Sequence, residues 1–178
     1  MNTELLRPIT TEEVDTYHHD GVLLLKGMFD KNWIELLNKG LDVNCKSPTE
    51  RSRIWNKDAS GHTMFYDTLA WREIKEYKKF IFNSPAAKIC GQLMNTKTVN
   101  FFFDAIFVRS PGTKFESPWH QDEPYWSVEG YDVCSIWMPL VPVKRKSSLS
   151  CVLGSHCLKT VFKQYNFSLL YISPSPRD

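Results

Sequence analysis

The sequence contains no C-x-x-C pair, no G-x-S-x-G elbow, no internal repeat and no low-complexity tract. It also has no apolar run approaching the roughly 18 to 20 residues that span a bilayer; stretches such as Phe101–Phe103 and Val22–Leu25 have strand length. A paired-thiolate zinc site and a serine-hydrolase elbow are thereby disfavoured, as is a membrane-spanning protein. Charge of one sign is lacking too. Lys and Arg number 22 against 20 for Asp and Glu, and a net charge of +2 gives no field that would recruit nucleic acid or an anionic membrane surface. No positive-then-apolar segment opens the chain, and the five cysteines (Cys45, Cys90, Cys134, Cys151, Cys157) are odd in number. The expectation is an intracellular, cytoplasmic protein with free thiols, Cys151 and Cys157 being buried ones. What the sequence does have is one domain's worth of chain, 178 residues with 42% hydrophobic and 24% charged residues, and a heavy aromatic content including six Trp.

Caps and apolar periodicity place the elements. Thr10 and Glu13 form a capping box for a helix carrying Val14 and Tyr17. The run Gly21–Lys26 predicts a strand. Asp30 caps a second helix with apolar positions Trp33, Leu36, Leu37 and Leu41, ending near Gly40. Residues 44–66 read as a long irregular loop, residues 68–81 as a third helix, and Ser84-Pro85 as the start of a fourth that buries Ile89, Leu93 and Met94. From residue 97 strand formers are concentrated, and strands are predicted at 98–109, 117–122, 132–140 and 148–153. The expected fold class is α+β with a mainly β core, a sheet sandwich or jelly roll with the helices packed outside it.

The chemistry concentrates in Pro118-Trp119-His120-Gln121-Asp122-Glu123-Pro124-Tyr125-Trp126. On a strand, residues two apart share a face, so His120 and Asp122 can converge on one point. One more imidazole would complete a two-His, one-carboxylate triad, which leaves adjacent positions of an octahedral Fe(II) for a bidentate co-substrate and O2. The same pair also fits a strand-end His and Asp hydrogen-bonded to each other or to a turn. Tyr125 and Trp126 could wall the substrate side. His62 could line a pocket, while His18 and His19 are expected to be exposed on the first helix.

Around this pair, Ser110-Pro111-Gly112-Thr113, Trp119-His120-Gln121-Asp122, Tyr125-Trp126, Ser135-Ile136-Trp137-Met138-Pro139-Leu140 and Gly154-Ser155-His156 follow in order. Together with Thr11-Glu12-Glu13 and His19-Asp20-Gly21, this pattern resembles the phytanoyl-CoA dioxygenase family of Fe(II)- and 2-oxoglutarate-dependent oxygenases, over roughly residues 8–167. The resemblance implies a cupin-like double-stranded β-helix and a domain over residues 1–167. It also implies Fe(II), 2-oxoglutarate and O2 as cofactor and co-substrates, and a small-molecule or acyl substrate that is hydroxylated. It places His120 and Asp122 on two iron ligands, and Gln121 and Trp137 on positions bordering the 2-oxoglutarate pocket. Related halogenases carry a small residue where Asp122 stands, so the carboxylate favours hydroxylation.

The pattern breaks after Asp122, because the family's distal His and the Arg that clamps 2-oxoglutarate do not appear. His156 belongs to a turn motif instead, and Arg109, Arg145 and Lys57 read as solvated charges. Residues 168–178 read as a non-native or disordered tail. The expectation is a C-terminally truncated and inactive oxygenase whose final strands are missing; the alternative is a non-catalytic β-scaffold that binds a metabolite or protein partner. A hydrolytic site at Ser155-His156-Cys157 is disfavoured, since adjacent strand residues face opposite ways.

Overall fold

The computed structural model describes residues 1–55, 61–113, 117–128, 130–158 and 160–162. Lys57 and the segment 168–178 lie outside the described residues. The first helix, α1 (Thr11–Asp20), begins as its sequence dictates. Thr10 accepts from the Glu13 backbone N–H, and the Glu13 carboxylate accepts from the Thr10 N–H. Arg7 adds two hydrogen bonds of 2.7 and 2.8 Å to that carboxylate, holding its pKa down at about 2. Gly21, with φ of 74°, closes the helix in the left-handed conformation.

Helix α2 (Lys31–Lys46) is capped by Asp30, which accepts from the Trp33 N–H, and buries Trp33, Leu37, Gly40 and Asn44 along one stripe. It does not end near Gly40. That glycine faces helix α3 (Lys75–Asn83), where a Cβ would lie 2.8 Å from Tyr77 Cε1 and 2.9 Å from Glu76 Cβ, so its small size serves helix contact and not termination. The expected single helix over 68–81 is divided: a short 3-10 turn, Ala70–Arg72, precedes α3, and Ile74 between them is extended. Helix α4 (Ala86–Leu93) follows directly, with Ser84 Oγ accepting from the Ala86 N–H at 3.3 Å.

Strands β1 (Arg53–Trp55), β2 (Met64–Thr68) and β3 (Ala105–Arg109) form one antiparallel sheet in the order β1-β2-β3. The segment expected as a loop thus supplies β1 and the start of β2, because a three-residue strand is too short to display alternation. The described architecture is α+β, with four helices and this three-stranded sheet; a second apposed sheet, as in a jelly roll, is not seen among the described residues. Residues 21–26, 117–122, 132–140 and 148–153 are not strands. Strand-forming residues make a strand only where a second backbone completes the ladder, and no described segment pairs with these. Their apolar side chains find other uses or none: Leu23 and Leu25 pack on a core cluster, whereas Trp119 is 71% exposed.

The core has two parts. Leu37, Ala70, Ile74 and Tyr77 form one, with Ile106, Met138 and Leu140 against it; Met28, Ile89 and Leu93 form the other, with Tyr17, Leu23 and Cys134 against it. Residues 134–140 run from the second cluster to the first, and Asn38 of α2 donates to the Leu140 carbonyl at 3.2 Å. No described helix is long and apolar enough to cross a membrane.

Helices and sheet are joined through Asp67 of β2, which is fully buried. One carboxylate oxygen accepts from Asn44 Nδ2 of α2 at 2.7 Å and from the Thr49 N–H at 3.1 Å; the other accepts from the Thr49 hydroxyl at 2.6 Å and the Thr68 N–H at 2.9 Å. Burial pushes the Asp67 pKa up, but these four donors outweigh it and hold it below the usual carboxylate range.

Three outcomes follow for stability. Asp67→Ala leaves four buried donors without an acceptor and is expected to cost about 3 kcal/mol or more by urea unfolding. Because the folded pKa is depressed, the charge contributes fully above about pH 4 and its contribution is lost as pH falls through the folded value. The stability gap between the native chain and Asp67→Asn therefore narrows below about pH 4. Gly40→Ala would gain about 1 kcal/mol of helix propensity in an open site. Against Tyr77 and Glu76 the overpacking cost of about 1–3 kcal/mol prevails, so the variant unfolds at lower urea than the native chain.

Candidate functional site

Side chains alternate along β2, so Tyr66 projects to the face opposite Asp67 and hence away from α2. Its cross-strand partner is Phe107 on β3. Trp55 stacks on Tyr66 with ring centroids 4.7 Å apart, and the Phe107 ring lies 4.9 Å away on the other side. One face of the sheet thus carries the helices and the other a row of three aromatic rings. The segment from residue 117 returns beside this aromatic face. Arg109, at the end of β3, donates from Nη2 to Ser117 Oγ at 2.7 Å and fixes where that segment starts.

His120 and Asp122 converge although residues 117–122 are not a strand. Asp122 leads into a 3-10 turn, Glu123–Tyr125, in which the Tyr125 N–H donates to the Asp122 carbonyl at 2.9 Å. This turn brings Oδ1 of Asp122 to 3.2 Å from Nε2 of His120. The other ring nitrogen, Nδ1, lies 2.7 Å from the Pro118 carbonyl oxygen. A carbonyl can only accept, so Nδ1 carries the proton, and in the neutral ring Nε2 presents a lone pair to the carboxylate. Two acceptors 3.2 Å apart need a cation between them, either a proton on the imidazole or a metal ion. The Tyr125 ring packs edge-on against the imidazole with centroids 6.2 Å apart. The side chains remain accessible, at 34% exposure for His120 and 58% for Asp122.

The Tyr66 phenol is pushed up in pKa chiefly by burial, and next by the carboxylate of Asp122, which sets that carboxylate against the aromatic face. Tyr66 therefore stays a neutral hydroxyl beside the pair. It, Trp55 and Phe107 are neighbours of the pair that the sequence reading did not single out: β1 and most of β2 lay in an apparent loop, and Phe107, although on an expected strand, had no partner assigned. Trp126 lies on another aromatic group, with Phe102 and Phe103 edge-on to it at 6.1 and 6.4 Å.

The remaining sequence candidates are dispersed. The Gln121 amide is engaged at both ends, donating to the Thr160 carbonyl and accepting from the Phe162 N–H, each at 2.8 Å, so it fastens residues 160–162 next to the pair. Trp137 is 49% exposed and not a core residue. His62 packs against Gly112, where a Cβ would come within 3.0 Å of its Nε2. His156 donates from Nε2 to the His18 carbonyl at 3.0 Å and lies over Gly21, which docks the Gly154-Ser155-His156 turn on the end of α1. Cys151 and Cys157, expected to be buried, are exposed. Among the described residues, which include all five histidines, no group of three His, Cys, Asp or Glu comes together around a point suited to a metal. An open groove along α1, lined by Thr11, Asp15 and His19, contains none of the site residues.

A nitrogen donor and a hard oxygen donor, with the imidazole tautomer set by a backbone carbonyl, make up two of the three donors of a facial two-histidine, one-carboxylate site. The donors present therefore fit Fe(II) as far as they go. The family model for phytanoyl-CoA dioxygenase (PhyH) matches residues 17–166, and the chain belongs to that family. Membership points to an oxygenase of the Fe(II)- and 2-oxoglutarate-dependent type. Comparison with the curated proteins and with the solved structures gives no match.

The placement of Asp122 beside Tyr66 is open to titration. Asp122→Asn removes a negative charge that disfavours the phenolate, so Tyr66 ionises at lower pH than in the native chain, whereas Asp122→Glu retains most of the effect. Ultraviolet absorbance titration, with Tyr66→Phe as the blank, reads the shift.

Proposed function

We propose that this chain is an Fe(II)- and 2-oxoglutarate-dependent oxygenase that hydroxylates a small-molecule or acyl substrate, with residues 1–167 as its domain and His120 and Asp122 as metal ligands. The observation that carries this reading is the convergence of His120 Nε2 and Asp122 Oδ1 to 3.2 Å, with Nδ1 of the same ring 2.7 Å from the Pro118 carbonyl oxygen. When bound, the metal would supply activation of O2 alongside 2-oxoglutarate. The protein's own part is positional. Arg109 anchors Ser117, the 3-10 turn after Asp122 orients the carboxylate, and Gln121 keeps residues 160–162 against the pair. The aromatic face of Tyr66, Trp55 and Phe107 offers an apolar surface for the substrate, with Tyr125 against the imidazole.

The family's double-stranded β-helix is the fold this reading entails, with β1-β2-β3 as part of one of its sheets and Trp137 near the co-substrate. Two donors hold a divalent ion less tightly than three, so we further propose that the 178-residue chain binds metal weakly and turns over slowly.

Anaerobic calorimetric titration with Fe(II) tests the assignment. The expected result is one weak site per chain, with His120→Ala and Asp122→Ala each lowering affinity by about tenfold to a hundredfold, and with slow, metal-dependent conversion of 2-oxoglutarate to succinate that both variants abolish. Metal affinity unchanged in both variants would overturn it.

A further inference from the structure

Helix α3 carries two stripes of opposite character. Glu76 and Tyr77 are buried, and Phe80 packs on the core cluster around Leu37. Lys75, Lys78, Lys79 and Phe82, spaced i, i+3, i+4 and i+7, are all exposed along the other side. Phe82 is 58% exposed and does not stand alone. Its ring centroid lies 5.6 Å from that of Trp71 and 6.3 Å from that of Phe101, and Phe101 in turn lies 5.7 Å from Trp71. Trp71 is anchored by packing on the Leu37 cluster, and the guanidinium carbon of the exposed Arg72 lies 6.0 Å from the centre of its ring. Scattered exposed apolar side chains are ordinary, whereas three rings in mutual contact, bordered by four cations, form a patch.

The charge of this patch is of one sign. Among the described residues no carboxylate forms an ion pair with Arg72, Lys75, Lys78 or Lys79. Glu73, the exposed acid nearest in sequence, pairs with Arg51 at 3.6 Å. Helix α2 is the contrast, because its exposed Lys31, Lys39 and Lys46 are interspersed with the exposed acids Glu35 and Asp42. The net charge of +2 therefore conceals a local positive field on α3 that the whole molecule lacks.

We infer that this face of α3 docks on an anionic lipid surface. The outer ridge of a helix suits a flat partner. Aromatic rings settle at the level of the lipid headgroups, and flexible lysine stems reach past them to the phosphates. Each cation near an anionic bilayer strengthens binding by about fivefold. The opposite stripe of α3 stays in the core, so the attachment is peripheral and reversible. The patch shares no residue with the His120–Asp122 pair, so the two assignments stand or fall separately.

The test is flotation of the native 178-residue chain with vesicles of phosphatidylcholine alone, or of phosphatidylcholine and phosphatidylserine in equal parts. The expected result is flotation with the anionic vesicles only, reversed by high salt. Lys75→Gln, Lys78→Gln and Lys79→Gln together are expected to weaken binding by about a hundredfold. The matched change on α2, Lys31→Gln, Lys39→Gln and Lys46→Gln together, leaves it unchanged. Phe82→Ser weakens it several-fold with the urea midpoint unmoved. Absent flotation, equal flotation with neutral vesicles, or equal loss in the α2 variant would overturn the assignment. So would capture of the chain by soluble polyglutamate in preference to the anionic vesicles, which would mark an acidic protein as the occupant.

Discussion

The arrangement of helices, sheet and site depends on one buried carboxylate. Asp67 sits on the middle strand of a three-stranded sheet, where an unpaired charge would be costly. Four donors neutralise that cost, two of them from Thr49 and one from Asn44. Asn44 ties helix α2 to β2 and Thr49 ties the turn after it, while the fourth bond lies within the strand's own end at Thr68. A hydrophobic contact could slide, whereas this set of short hydrogen bonds defines one register between helix and sheet.

That register determines which way the neighbouring residue points. With Asp67 committed to the helical side, Tyr66 must project to the other, together with Trp55 and Phe107, and the His120–Asp122 segment lies against this second face. The division of labour is physical. One side of the sheet is covered by α2 and α3, and the other keeps an imidazole and a carboxylate accessible next to an aromatic surface. Close contact between α2 and α3 depends in turn on the missing side chain at Gly40.

Much of the front half was legible because its signals are local. The Thr10–Glu13 box, the Asp30 cap and the Ser84-Pro85 start each act within a turn of helix, and each stands close to where its sequence places it. Gly40 misled because a glycine required by a tertiary contact looks the same in sequence as one that ends a helix. The strands were harder to read for a general reason: a ladder is a property of two segments, and residues 117–122, 132–140 and 148–153 have strand composition without a described partner. His120 and Asp122 were identifiable from their spacing and from the motifs around them, which carry the family likeness. Their convergence nonetheless comes from a 3-10 turn and not from the strand pleat that the spacing suggests. The packing of Tyr17 and Cys134 on the Met28, Ile89 and Leu93 cluster had no sequence signal at all, since α1, α4 and a distant stretch are brought together only in the folded chain.

The central claim is that His120 offers Nε2, and Nε2 alone, to a cation shared with Asp122. Nitrogen-15 NMR of histidine-labelled protein, at a pH where the imidazole is neutral, reads it directly. The account predicts that His120 is the Nδ1–H tautomer without metal, and that a diamagnetic divalent ion shifts its Nε2 resonance while leaving His18, His19 and His156 unmoved. A proton on Nε2, or a metal-induced shift at other histidines with His120 unchanged, would contradict it.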